Sequence, residues 1–95
     1  MTNRSEFENL VLHLVHKSVE IRNTETSKYG VVIKIDFAAN NNSSEIEITL
    51  SIDNELVDII EFFVWKDGGP HASIQEIETW LKNALDDALV RLGRV

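Results

Sequence analysis

The sequence predicts a small α+β domain, with two helices packed on one face of a three-stranded antiparallel meander in the order α-β-β-β-α. Three observations point there. The stretch from Tyr29 to Trp65 holds three runs of strand character, YGVVIKIDF, EIEITLSI and VDIIEFFVW. The segments before and after it carry apolar residues at helical spacing. In each of those segments a serine is followed three residues later by a glutamate, Ser5 by Glu8 and Ser73 by Glu76, the pairing that caps a helix N-terminus. The 95 residues suffice for one core and are read as a single domain, 1–95.

Taken in order, the spacing of Phe7, Leu10, Val11, Leu14, Ser18 and Ile21 predicts an amphipathic helix over 6–21, although the β-branched Val11, Val15, Val19 and Ile21 weigh against it. The polar run RNTETSK is expected as the loop that follows. The first strand, 29–38, sets Val31, Ile33, Ile35 and Phe37 on one side and Val32, Lys34 and Asp36 on the other. An Asn-rich connection, AANNNSS, suits a loose hairpin. The second strand, 45–52, alternates most cleanly, with Ile46, Ile48, Leu50 and Ile52 inward and Glu45, Glu47, Thr49 and Ser51 outward.

The third strand, 57–66, follows a turn at Asp53-Asn54, and its register has two solutions. One buries Val57, Ile59, Glu61, Phe63 and Trp65. A slip or a bulge near Leu56 buries Ile60, Phe62 and Val64 instead, which puts no charge in the core and is preferred. A helix over 54–64 is the rival, from the spacing of Glu55, Asp58 and Glu61. Lys66 to Pro70 then forms a turn, and a helix over 74–92 places Ile77, Leu81, Leu85 and Leu89 inward. Arg91 and Arg94 suit the end of that helix, and Gly93 its C-terminal cap.

Charge narrows the function classes. The net charge is −7, and between Asp36 and Trp65 there are seven acids and no Lys or Arg. The rest of the chain carries nine acids and nine bases, so the excess lies wholly on the strand region. Phosphate backbones and anionic lipid demand the opposite sign, so neither nucleic acid nor a membrane is expected as partner. The order helix, three strands, helix resembles that of double-stranded-RNA-binding domains. Ser73, Gln75, Glu76 and Glu78 stand, however, where those domains carry basic residues. The sequence has no cysteine, no N-terminal basic-then-apolar leader and no run of about 18 apolar residues, which together suggest a cytoplasmic protein.

Catalytic constellations are scarce. His13, His16 and Glu20 share a helix face and could ligate zinc, but HxxH alone is common and the face reads as solvated. His71 has no nucleophile set beside it by any motif, and Gly68-Gly69 lacks the spacing of a phosphate loop. No enzymatic activity, metal or cofactor is therefore expected. What remains is an interaction surface. The expectation is a small acidic module that binds and neutralises or regulates a basic protein, in the manner of an immunity protein or inhibitor, through Glu45, Glu47, Asp58, Glu61, Phe63 and Trp65. The alternative is a homodimer joined through the third strand and its edge.

Overall fold

In the computed structural model, which describes residues 3–93, the elements are α1 (Arg4–Thr26), a 3₁₀ turn (Ser27–Tyr29), β1 (Val31–Ala39), β2 (Ser43–Ile52), β3 (Glu55–Lys66), β4 (Gly69–Pro70) and α2 (Ile74–Arg91). The four strands form one antiparallel sheet in the order β1-β2-β3-β4. Both helices pack on the same side of it and share one core with Val31, Ile33, Ile46, Ile48, Leu50 and Val64. The α+β architecture and the central meander are as expected. The additional strand is short: Asp67 and Gly68 take positive φ, and the chain folds back so that Gly69 and Pro70 pair with Lys66 and Trp65.

Helix α1 is longer than its apolar pattern suggests, and its phase differs. Its buried stripe is Phe7, Val11, Val15 and Val19, spaced by four, whereas Leu10 and Ile21 stay exposed. The valines that argue against a helix locally are the residues that fill its contact with the sheet. The N-cap is Asn3, whose side chain accepts from the Glu6 amide at 3.3 Å; Ser5 lies inside the helix, and Glu8 pairs with Arg4 at 3.2 Å. The helix also runs on through the expected loop. There Arg22 pairs with Asp86 of α2, and the hydroxyls of Thr24 and Thr26 donate to the carbonyls of Glu20 and Arg22. Asn23 accepts from the Ile33 amide and donates to the Ile33 carbonyl, both at 2.9 Å. Its side chain thus occupies the outer edge of β1 as a neighbouring strand would.

At the other end of α1, Arg4 ties the helix to the β1–β2 hairpin by donating to the carbonyls of Asn40, Asn41 and Ser43. The β2–β3 turn places Asp53 and Asn54 at positive φ, which suits the right-handed twist of a two-residue hairpin. Gly30 approaches that turn closely: its carbonyl accepts from the Asp53 amide, and a Cβ there would stand 2.6 Å from Asp53 Oδ1. Helix α2 follows expectation. The Ser73 hydroxyl accepts from the Glu76 amide at 3.1 Å, Glu76 Oε1 accepts from that hydroxyl in turn, and Ile77, Leu81, Leu85, Ala88 and Leu89 are buried. Gly93 adopts positive φ just beyond the helix, while Arg94 lies outside the described residues.

The register of β3 resolves to the preferred solution, with two irregularities. Ile46, Ile48 and Leu50 face Phe62, Ile60 and Asp58, and the register shifts at Leu50/Ser51 and again at Ser44/Glu45. The second shift inserts Val64 between Phe63, opposite Glu45, and Trp65, opposite the buried Ser44. Val64 and Trp65 therefore both reach the core, although they are adjacent in sequence.

Candidate functional site

Strand alternation and the observed register define the side of the sheet that the helices leave uncovered. Across β1, β2 and β3 its rows read Val32–Ser51–Leu56, Lys34–Thr49–Ile59, Asp36–Glu47–Glu61 and Ala38–Glu45–Phe63. Three carboxylates lie side by side in the third row, and Glu45 is one step along the same face. Like charges directly across neighbouring strands repel. The ion pairs among the described residues, Arg4–Glu8, Arg22–Glu25, Arg22–Asp86, Arg91–Asp58 and Arg91–Asp87, include none of these four acids.

Of the six residues expected at the partner surface, the structure brings four together and removes two. Glu45, Glu47, Glu61 and Phe63 share the uncovered face. Trp65 does not: it is 8% exposed and stacks obliquely on Phe7 of α1 at 6.1 Å between ring centroids, because the bulge at Ser44/Glu45 turns it inward. Asp58 lies opposite Leu50, on the helix side. It accepts from Arg91 at 2.8 Å through one carboxylate oxygen and from the Ile59 amide at 2.9 Å through the other. Apolar surface does remain around β3, in Leu56, Val57 and Ile59, each more than two-fifths exposed.

A second feature adjoins this face. A groove of about 490 Å³ runs between β3 and the start of α2, lined by Glu61 and Phe63 from one side of β3, Phe62 from the other, and His71, Glu76 and Trp80. Because residues from both sides of the strand line it, the groove wraps the outer edge of β3. Trp80 meets Phe62 edge-on at 5.0 Å and is 42% exposed, and Phe63 meets His71 at 5.8 Å. On its far side Phe63 lies under Lys66, whose Nζ is 4.3 Å from the ring centroid. The sequence shows Glu76 as a cap, and it is one, but only the docking of α2 against β3 brings Glu76 and Trp80 into one groove with Glu61.

His13, His16 and Glu20 sit on the exposed side of α1, and among the described residues no group of three or more His, Cys, Asp and Glu is arranged to hold a metal ion. No helix among them is long and apolar enough to cross a membrane. Comparison of the chain with known protein families, with curated proteins and with solved structures gives no match, so the site rests on its own residues.

Proposed function

We propose that the protein is a small, non-enzymatic, cytoplasmic binding module that takes a basic protein as its partner on the uncovered face of the sheet and neutralises or regulates it. The observation that carries this reading is the row Asp36–Glu47–Glu61 with Glu45 beside it, four acids on a face that no helix covers. Placing like charges opposite one another works against folding, so the row is poorly explained by stability alone. Its charge would be offset by lysines and arginines of a partner, and it would speed the encounter with one.

The test is charge reversal in the middle of the face. Immobilised wild-type protein should retain a basic protein from the source lysate at low salt and release it at high salt, whereas Glu45→Lys/Glu47→Lys should stay folded and retain nothing. Equal retention by the variant would sink the proposal.

Self-association is the second reading, and the exposed Leu56, Val57 and Ile59 favour it. Two copies could not easily stack face on face, since the acidic rows would oppose one another. Pairing of β3 with β3 at the edge avoids that clash. Light scattering at low and high salt separates the readings, because an apolar edge dimer should persist in both and become a monomer with Leu56→Lys/Ile59→Lys.

A further inference from the structure

We infer that the groove between β3 and α2 is an arginine pocket, which receives one guanidinium from an extended segment of a basic partner laid along the outer edge of β3. The inference rests on the proposed function for the sign of the partner, and it adds where and by what chemistry one residue is read.

Three observations converge. The first is the lining, in which Phe62, Phe63 and Trp80 supply aromatic surface and Glu61 and Glu76 supply two carboxylates. A guanidinium suits such a place because it is planar, stacks on an indole and still offers donors in its plane to carboxylates. The second is Lys66, which already lies over the far side of Phe63, so the aromatic cluster holds a cation within the chain itself. Trp80, by contrast, keeps about two-fifths of its surface open to solvent.

The third is the strand edge. Both backbone groups of Ile33 bond to Asn23, so the odd-numbered residues of β1 turn away from β2. Alternation then pairs Ile46, Ile48 and Leu50 with Phe62, Ile60 and Asp58, and turns the backbone of Ile59, Glu61 and Phe63 outward. The Ile59 amide is taken by the Asp58 carboxylate. The backbone groups of Glu61 and Phe63 thus face away from β2, and β4 pairs only with Lys66 and Trp65 beyond them; both residues line the groove. An extended peptide that bonds to them would carry its side chains past Trp80 and Glu76.

The experiment titrates the full chain with a capped pentapeptide, Ser-Val-Arg-Val-Ser, and with the same peptide carrying citrulline, the neutral isostere of arginine. Amide and indole proton–nitrogen spectra are the readout. The arginine peptide should give saturable shifts at the Trp80 indole and at the amides of Glu61 and Phe63, and leave the Trp65 indole unmoved. Citrulline should bind about tenfold more weakly or worse, the loss expected when a desolvated cation–π and ion-pair contact is removed. Trp80→Ala and Glu76→Gln should each weaken the arginine peptide. Glutamine retains the capping geometry, and a dispersed spectrum certifies that each variant is folded.

Equal binding of the two peptides, or no saturable shift at millimolar peptide, overturns the pocket. So does movement of the same signals on concentrating the protein alone, which would assign the edge to a second copy. A basic protein that is lost with Glu45→Lys/Glu47→Lys but binds Trp80→Ala as it binds the wild type overturns the pocket and leaves the sheet-face reading standing.

Discussion

On the side of the sheet that meets the helices, Ile46, Ile48 and Leu50 are sealed from solvent, while their neighbours Glu45, Glu47 and Thr49 remain partly exposed on the other side. The covered side is made of complementary parts: a stripe of valines on α1, a stripe of leucines on α2, and a bulge that delivers Trp65 to Phe7. The uncovered side joins unlike requirements, with carboxylates opposed in a row and apolar side chains left at one margin. Packing explains the apolar residues of the first side, where Asp58 is held by Arg91 and only the buried Ser44 hydroxyl stands without a partner among the described residues. The second side is worse for folding than a mixture of threonines and alternating charges would be, and it is on that difference that the proposed partner surface rests.

The largest expected effect lies on the covered side. Trp65→Ala should cost about 3–5 kcal/mol in chemical denaturation, as for other large-to-small core changes, whereas a tryptophan standing on an open face would lose little. Next is the edge that α1 secures. Asn23→Ala leaves both backbone groups of Ile33 without their partner in a half-buried place and should cost about 1–3 kcal/mol. The smallest effect has the opposite sign. Glu47→Gln removes the middle charge of the acidic row and should stabilise the protein by roughly 0.2–1 kcal/mol at low ionic strength, with the gain shrinking as salt is added. Loss of stability in that variant would break the comparison, because it would mean that the row is satisfied within the chain.

The fold was legible where a local pattern and the tertiary environment agree. Strand β2 alternates from Ser43 to Leu50 because one of its sides meets helices and the other meets solvent, and α2 has both its apolar stripe and its serine cap in the sequence. Helix α1 was legible as a helix but not in phase, since apolar residues lie on two of its sides and only packing selects Val15 and Val19 over Leu10 and Ile21. Its last turns were hidden because Arg22 and Asn23 bind α2 and β1, partners that no window of neighbouring residues contains. The acidic half of the candidate site followed from alternation in β1 and β2. Trp65 was misplaced because a second irregularity, at Ser44/Glu45, turns it to the helix side, whereas Asp58 shares the side of Ile60 and Phe62 in the preferred register and is held there by Arg91 of α2, a partner that no window of neighbouring residues contains. The groove at Trp80 depends on how α2 crosses β3, which is a property of the assembled domain.

The amide of Asn23 on the edge of β1 also bears on the valence of the molecule. A sheet with two free edges can pass its pairing from copy to copy and grow without limit, like a monomer with two reactive ends. Here a strand adding along the whole of β1 would have to displace that amide from Ile33, a local block that leaves the outward backbone groups of Ile35 and Phe37 as they are. Adding a strand therefore costs more across the start of β1 than along Glu61 and Phe63 of β3, and the two edges are unequal partners for a guest strand.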